Sequence, residues 1–320
     1  MRIVFMGTPD IAAGVLETLI NSEHEVAAVV TQPDKPNARG NEIIFSAVKK
    51  TALAAGLPVL QPLKASAAES VEEIAAYKPD IIVVVAYGQL LKMNLLELPK
   101  YGCINVHASL LPKYRGASPI QWAVINGDKE SGVTIMHMAA GLDTGDIILK
   151  RSIELAPDET AGSLFDRLTE LSGPVLLEAL EKIENGTAER IPQNNDESSY
   201  VTVLSKAMGH LDFNKPAAEL ERLIRGLIPW PGAYAYVNKK MLKLWKTALA
   251  SNAEAAFITD ESGNKQQLKA GQLHIADGAL YIGTAEGVLE VFELQLEGKK
   301  RMFTGDFLRG ANIADGTILE

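Results

Sequence analysis

The chain has 320 residues, 47% of them hydrophobic and 22% charged, a composition that excludes an intrinsically disordered protein. A formal net charge of −9 excludes a protein that coats nucleic acid through its overall charge. The single cysteine, Cys103, cannot form an internal disulfide, and no apolar stretch approaches the roughly 18 residues of a membrane helix. The length favours more than one domain, and we expect a cytoplasmic protein.

The first two-thirds of the chain alternate short apolar runs with helical patterns. The predicted strands cover residues 3–6, 26–31, 59–60, 81–86, 103–106 and 132–138. The predicted helices cover residues 10–20, 45–55, 70–77 and 161–184. Repeated strand–helix–strand units predict an α/β domain with a doubly wound, mostly parallel sheet and helices on both faces. Ligands bind such sheets at the carboxyl ends of the strands, so we expect active residues directly after strands.

The pattern changes near residue 190. Residues 191–199 are polar and lack periodicity, so the sequence predicts a linker over 190–206 between a domain over 1–189 and a smaller domain over 207–320. The smaller domain begins with a helical pattern, and its predicted strands cover residues 233–237, 241–245, 272–275, 280–283 and 287–295. That spacing predicts a small all-β barrel or sandwich. Residues 207–320 contain 13 Lys and Arg residues against 14 Asp and Glu residues, so this domain tolerates a polyanionic partner.

Asn105 and His107, at the end of a predicted strand, are the clearest chemical signal in the sequence. Residues two apart in an extended chain point to the same side. A side-chain amide can hold a developing oxyanion, and a histidine can move a proton near neutral pH, so the pair suits acyl transfer. The alternative is a hydrogen-bonded pair in the protein core.

Two further segments lie close to strand ends. Residues 109–112, Ser-Leu-Leu-Pro, have the pattern of a turn that shapes an apolar slot. Residues 141–146, Gly-Leu-Asp-Thr-Gly-Asp, form either an ordinary turn or a source of a carboxylate that orients a histidine. The five histidines and the cysteine lack metal-ligand spacing, so we predict no metal site. No serine stands in a Gly-x-Ser-x-Gly pattern, so a covalent acyl-enzyme is not predicted.

These segments together resemble the signature of the folate-dependent formyltransferases, which have a Rossmann-like catalytic domain. The resemblance rests on residues 104–112, 114–116 and 141–146. It implies a catalytic group of Asn105, His107 and Asp143. It also implies that the formyl donor, 10-formyltetrahydrofolate, binds at residues 80–91 and at the adjoining turn. The implied donor-binding residues are Val85, Tyr87, Gln89, Leu90, Ser109, Leu110, Leu111 and Pro112.

Other segments resemble the methionyl-tRNA formyltransferases within this family. Residues 31–36 with Arg39 and Gly40 resemble a loop that these enzymes insert after the second strand, although residues 41–47 lack its lysines. Four C-terminal segments, at 211–213, 228–232, 243–246 and 298–300, resemble their tRNA-binding, OB-like barrel domain. The implied acceptor is methionyl initiator tRNA. The implied tRNA contacts are Arg39, Lys239, Lys240, Lys299, Lys300 and Arg301.

The resemblance implies direct transfer of the formyl group to the α-amino group of methionine. Asn105 would stabilise the tetrahedral oxyanion, His107 would move a proton from the amine to N10 of the folate, and Asp143 would orient His107. The nearest alternative is a sugar-nucleotide formyltransferase, whose acceptor is an amino sugar. A catalytically inactive tRNA-binding protein and a formyltetrahydrofolate hydrolase are further alternatives. We expect a monomer.

Overall fold

The computed structural model describes residues 1–36, 43–259, 263–310 and 313–320. Contacts within the chain divide it into two compact units. The first unit contains residues 1–120, 130–154 and 164–202, and the second contains residues 121–129, 155–163 and 203–320. The boundaries at 189 and 207 inferred from the sequence stay a prediction. The segment predicted as a linker contains ordered hydrogen bonds, since Tyr200 and Val201 pair with Arg115 and Gly116.

The elements of the first two-thirds of the chain follow the predicted alternation. The strands are β1 Arg2–Gly7, β2 Glu25–Val30, β3 Lys35–Pro36, β4 Ile43–Ile44, β5 Val59–Leu60, β6 Ile81–Val85, β7 Cys103–His107, β8 Arg115–Gly116, β9 Glu130–His137, β10 Ile147–Glu154 and β11 Tyr200–Val201. The helices are α1 Asp10–Ile20, α2 Ala47–Ala54, α3 Ala68–Ala75, α4 Met93–Leu96, α5 Pro119–Ile125 and α6 Ala161–Glu184.

Seven of these strands form the sheet of the first unit, in the order β10-β9-β7-β6-β1-β2-β5. The strands from β7 to β5 are parallel, and β9 and β10 are antiparallel additions at one edge. Strand β6 is buried along its whole length, as expected for a strand covered on both faces. The predicted doubly wound, mostly parallel sheet is therefore confirmed.

The chain reverses its direction of progress across the sheet between β1 and β6. It moves from β1 to β2 and β5, then returns to place β6 on the other side of β1. The carboxyl ends of the two strands meet there, with Gly7 opposite Val85. A Cβ atom at Gly7 would lie 2.9 Å from the Val85 carbonyl oxygen, so only glycine fits. Sheets of this kind bind ligands at such a switch point.

The second unit is built around an antiparallel sheet. Its strands are β12 Ala233–Val237, β13 Lys240–Leu249, β14 Phe257–Thr259, β15 Lys265–Gln267, β16 Leu273–Ala276, β17 Ala279–Gly283, β18 Val288–Leu296 and β19 Met302–Phe303, and its helices include α7 Ala217–Gly226 and α8 Thr304–Gly310. The sheet order is β12-β13-β18-β17-β16, with β19 paired to β18. This arrangement confirms the predicted C-terminal domain of antiparallel strands, which the two helices accompany.

Alternating burial along the strands explains how this second core forms. In β12, Ala233, Ala235 and Val237 are buried, while the two tyrosines between them are half-buried. Helix α7 adds the buried side chains of Leu220 and Ile224 to the same core. Among the helices that the structure describes, none combines the length and the apolar character needed to cross a membrane.

Candidate active site

Asn105 and His107 lie at the carboxyl end of β7, as the sequence predicts. Asn105 stands beside Val84 of the parallel strand β6, and His107 stands opposite Thr134 of the antiparallel strand β9. The exposed fractions of the two residues are only 8% and 7%. Within the described ranges, no group is hydrogen-bonded to the Asn105 side chain. The strand fixes the Asn105 backbone, and the side-chain amide keeps its hydrogen-bonding capacity for a ligand.

The His107 imidazole is held between a carbonyl group and a carboxylate. Its Nε2 atom lies 2.9 Å from the Tyr114 carbonyl oxygen, and its Nδ1 atom lies 3.8 Å from Oδ2 of Asp143. A carbonyl oxygen only accepts hydrogen bonds, so Nε2 carries a hydrogen atom. In a neutral imidazole the lone pair is then on Nδ1, which faces Asp143. The predicted histidine and aspartate are thus neighbours, and the atom that can accept a proton is identified.

The carboxylate of Asp143 is positioned by a tight turn. The Asp143 backbone has a φ of 53°, in the left-handed region that aspartate tolerates better than most residues. The Gly116 backbone N–H donates to Oδ2 of Asp143 at 2.8 Å. A Cβ atom at Gly145 would lie 1.7 Å from the His137 carbonyl oxygen, so the turn requires glycine there. The Asp-Gly pattern of residues 141–146 is therefore a turn that also directs a carboxylate to His107.

The turn after β7 contains the second group of predicted donor-binding residues. The Thr134 hydroxyl donates to the Ser109 carbonyl oxygen at 2.6 Å and accepts from the Leu111 N–H at 3.1 Å. The Ser109 hydroxyl donates to the Lys113 carbonyl oxygen at 2.7 Å. Ser109 and Leu111 are buried, and Leu110 and Pro112 are half-buried. The turn is therefore a rigid, largely apolar surface next to His107, and its binding role stays a prediction.

The first group of predicted donor-binding residues follows β6. Val85 and Tyr87 are buried, whereas Leu90 is 78% exposed. The Gln89 amide oxygen accepts from the Ala65 N–H at 2.9 Å, so this side chain fixes a loop. Burial raises the pKa of the Tyr87 hydroxyl to about 12. Leu90 thus faces solvent and Gln89 contacts a loop, whereas Val85 and Tyr87 are buried.

The Tyr87 hydroxyl is a buried donor without a hydrogen-bond partner among the described residues. The backbone of the same residue is firmly held, because its carbonyl oxygen accepts from the Thr8 hydroxyl and the Gln32 amide, each at 3.0 Å. A buried polar group that the fold does not satisfy is unusual and is explained by a bound water or by a ligand.

Sequence reasoning missed two side chains that support this site, Arg115 and Gln193. Arg115 is 2% exposed, and two of its nitrogen atoms donate to the Gln193 amide oxygen. The Gln193 amide nitrogen in turn donates to the carbonyl oxygens of Asp143 and Gly145. Arg115 was visible as part of a motif, but Gln193 lay in a polar segment that gave no signal beyond that of a linker.

The predicted basic residues of the second unit lie in two adjoining loops. Lys239 and Lys240 are at the turn between β12 and β13, and Lys299 and Lys300 follow β18; all four are exposed. The loops adjoin because the Glu297 N–H donates to the Met241 carbonyl oxygen at 2.8 Å. The predicted Arg39 lies outside the described residues.

Arg301 differs from the four lysines in being partnered within the fold. Its guanidinium forms an ion pair with Glu293 and lies 4.9 Å from the centre of the Trp245 ring. The Trp245 indole N–H donates to the Gln295 amide oxygen at 3.2 Å. Part of the Arg301 charge is therefore neutralised on the surface of the sheet, and its tRNA contact stays a prediction.

Two family profiles match the chain. The family described as "Formyl transferase" matches residues 1–180, which contain Asn105, His107 and Asp143. The family described as "Formyl transferase, C-terminal domain" matches residues 203–312, which contain the basic loops. Each structural unit contains residues matched by one of these profiles.

Proteins similar over the whole length are known from several bacteria. The chain is 52% identical over 320 residues to the methionyl-tRNA formyltransferase of Lachnospira eligens, covering 100% of this chain and 99% of that protein. It is 50% identical over 319 residues to the methionyl-tRNA formyltransferase of Agathobacter rectalis, covering 99% of each. A solved N-formyltransferase from Helicobacter canadensis, in complex with folinic acid and dTDP-3-aminofucose, has a TM-score of 0.66 at 22% identity and covers 94% of this chain and 100% of its own. The last similarity concerns the fold alone.

Proposed function

The chain belongs to the methionyl-tRNA formyltransferase family, and on that premise we propose that it transfers the formyl group of 10-formyltetrahydrofolate to the α-amino group of methionine on initiator tRNA. The observation that supports the chemistry most strongly is the free Asn105 amide beside a His107–Asp143 pair at the carboxyl edge of the sheet. We place the reaction in the cytoplasm and expect a monomeric enzyme that uses no metal.

In the proposed mechanism His107 acts through Nδ1. The amine of methionyl-tRNA attacks the formyl carbon and, as the C–N bond forms, Nδ1 of His107 accepts the proton that the amine loses. The Nε2–H group of His107 keeps donating to the Tyr114 carbonyl oxygen, so the imidazolium is stabilised on both sides, by this carbonyl and by Asp143. The proton then moves to N10 of the folate as the bond between N10 and the formyl carbon breaks. Charge and protons balance without a covalent enzyme intermediate.

The Asn105 amide stabilises the other charge of the intermediate. Its N–H group donates to the formyl oxygen, on which negative charge develops when the amine attacks. The amide makes no hydrogen bond with the described residues, so no fold contact is broken in the transition state. Because the group is preorganised at the strand end, its contribution increases the rate rather than the affinity for the ground state.

The folate donor fits the buried residues near the two strand ends. Val85 and Leu111, which are 1% and 0% exposed, form apolar packing beneath the two strand ends, and the unpaired Tyr87 hydroxyl supplies a donor for a heteroaromatic ring with nitrogen and oxygen acceptors. Small-molecule sites commonly combine an apolar lining with a few directed polar groups. Gln89, Leu90, Ser109, Leu110 and Pro112 complete the proposed donor-binding set.

The tRNA acceptor fits the exposed basic loops of the second unit. Lys239, Lys240, Lys299 and Lys300 are exposed and present ammonium groups, which suits phosphate contacts. Arg301 adds a guanidinium stacked on Trp245. Arg39 belongs to the proposed set through the family resemblance alone.

An amino sugar is the less supported acceptor. The similarity to the sugar-linked enzyme of Helicobacter canadensis is 22% in sequence, against 50% and 52% for the two full-length relatives. Acceptors are compared by offering the enzyme 10-formyltetrahydrofolate labelled in the formyl group together with methionyl initiator tRNA, methionyl elongator tRNA, or dTDP-3-aminofucose. We expect label in the initiator tRNA. Label in the sugar nucleotide, or formate released without an acceptor, would overturn the proposal.

A further inference from the structure

We infer that Gln193 is a positioning residue for catalysis, which holds the turn of Asp143 in place and is itself oriented by the buried guanidinium of Arg115. This inference rests on the proposed catalytic role of Asp143. All of the residues involved belong to the first structural unit.

The Gln193 side chain bridges Arg115 and the turn of Asp143, two segments that the hydrogen bond from the Gly116 N–H to the Asp143 carboxylate also joins. Its Nε2 atom donates to the Asp143 carbonyl oxygen at 2.9 Å and to the Gly145 carbonyl oxygen at 2.8 Å. Its Oε1 atom accepts from Nε and Nη2 of Arg115 at 3.0 and 2.8 Å. Both N–H groups of the amide and its oxygen are therefore in use.

The chemistry of the partners permits only one orientation of this amide. A guanidinium only donates hydrogen bonds, and carbonyl oxygens only accept them. A flipped amide would place its NH2 group against Arg115 and its oxygen against two carbonyl oxygens. The orientation is thus determined by the network, which is the proper basis for assigning an amide.

The presence of glutamine at position 193 is informative, because the buried guanidinium of Arg115 would by itself favour glutamate there. Arg115 is 2% exposed, and its other hydrogen bonds go to neutral oxygens, to Asn195 at 3.0 Å and Tyr200 at 3.3 Å. No carboxylate among the described residues pairs with it. Burial of an uncompensated charge costs free energy, which a carboxylate at position 193 would offset. A carboxylate cannot donate to Asp143 and Gly145, whereas an amide can both accept from Arg115 and donate to the turn.

The turn that Gln193 holds determines where the Asp143 carboxylate lies. Asp143 is in the left-handed region, with a φ of 53°, and its carboxylate reaches both the Gly116 N–H and the neighbourhood of His107. Gln193 holds the backbone of the same residue through its carbonyl oxygen. A displacement of the turn by about 1 Å would misalign the carboxylate and the imidazole, and displacements of this size cost up to about a hundredfold in rate.

The experiment separates positioning from stability with three variants. Gln193→Glu keeps a partner for Arg115 but places negative charge against two carbonyl oxygens. Gln193→Met removes both sets of hydrogen bonds. Asn195→Ala is the matched control, because it removes a hydrogen bond to Arg115 without touching the turn. Steady-state formylation of methionyl initiator tRNA, melting temperature and the pH dependence of kcat are measured for each.

We expect Gln193→Glu to melt close to the wild type while kcat falls at least about tenfold, with KM for both substrates little changed. Its pH–rate profile should change shape, because the alignment of His107 and Asp143 is altered. Gln193→Met should lose both stability and kcat, and Asn195→Ala should lose stability alone. If both Gln193 variants keep the wild-type kcat and pH profile, the inference is wrong and the network is only structural.

Failure of the inference is distinguishable from failure of the proposed function. Active wild-type enzyme, inactive Asp143→Asn and fully active Gln193 variants would refute the positioning role and leave the proposed function intact. Wild-type enzyme that does not formylate methionyl initiator tRNA would refute the proposed function, and with it the catalytic meaning of the network.

Discussion

The carboxyl edge of the first sheet and the basic loops of the second unit use polar residues in opposite ways. At the edge, Asn105, His107 and Arg115 are at most 8% exposed, and His107 and Arg115 are held by named hydrogen bonds. In the loops, lysines such as Lys299 and Lys300 are exposed. The first region buries its polar side chains and holds His107 and Arg115 by hydrogen bonds, while the second region presents charged side chains to solvent.

This difference determines what a substitution in each region should change. A preorganised group in a buried site acts on the transition state, so its loss lowers kcat. An exposed lysine contributes little to folding stability and interacts with phosphates additively and in a salt-dependent manner. Variants of the edge should therefore affect turnover at all salt concentrations, and variants of the loops should affect the KM for tRNA most strongly at low salt.

The largest effect is expected from Asn105→Ala. Loss of an oxyanion donor should lower kcat by about a hundredfold or more. The melting temperature should change little, because no described residue is hydrogen-bonded to this amide. Steady-state kinetics and thermal unfolding measure the two quantities.

Thr134→Val, on the neighbouring strand β9, should lower the stability of the protein, in contrast to Asn105→Ala. Its hydroxyl makes two hydrogen bonds with the turn of Ser109 and Leu111, so its removal should destabilise the fold by about 1–3 kcal/mol. An Asn105→Ala enzyme that melts early and keeps near-normal turnover would show that Asn105, like Thr134, serves the core. His107→Ala is subject to the same comparison.

A smaller effect is expected from the double variant Lys299→Ala/Lys300→Ala. The KM for tRNA should rise severalfold while the KM for 10-formyltetrahydrofolate stays unchanged. Each lost phosphate contact should reduce the log–log salt slope by about 0.7–0.9. The measurement is the KM for tRNA at several salt concentrations. Arg301→Ala should change the slope less, because Glu293 already pairs with that side chain.

The matched control removes the same charge elsewhere in the second unit. Lys265→Ala/Lys269→Ala alters two exposed lysines, Lys265 in β15 and Lys269 in the segment before β16, so the variant has the same net charge as the loop variant. Equal effects of the two double variants on tRNA kinetics would mean that overall charge, rather than the basic loops, attracts tRNA.

Most elements of the fold could be predicted because their periodicity is local. Helix α6 has the predicted bounds Ala161–Glu184, and β12 has the predicted bounds Ala233–Val237. Strand β10, by contrast, was not predicted. It lies at the sheet edge, where Lys150 and Arg151 interrupt the apolar pattern of buried strands. Strand β13 extends to Leu249, beyond the predicted end at residue 245, because irregularities in its pairing with β18 break the alternation.

The candidate site was predicted to the extent that its residues are adjacent to strand ends. Spacing along β7 gave Asn105 and His107 a common side, and the Asp-Gly pattern indicated the turn of Asp143. Gln193 could not be found in this way. It is 78 residues from Arg115 along the chain and stands in a polar segment, so only three-dimensional contact reveals that it holds the turn.

The smallest effect is expected from a substitution that removes the Tyr87 hydroxyl. This hydroxyl is buried like the polar side chains of the sheet edge, yet no described residue forms a hydrogen bond with it. Tyr87→Phe removes an unpaired buried polar group and should stabilise the free protein by about 1 kcal/mol. If the hydroxyl donates to the folate, the same change should raise the KM for 10-formyltetrahydrofolate a fewfold and leave kcat nearly unchanged. Because burial raises its pKa to about 12, the hydroxyl stays protonated near neutral pH, and the KM ratio should be independent of pH there.

Thermal unfolding and folate kinetics test both effects, with Tyr77→Phe, a half-buried tyrosine of the same unit, as the control. A more stable variant with unchanged folate KM would remove this hydroxyl from the donor-binding set.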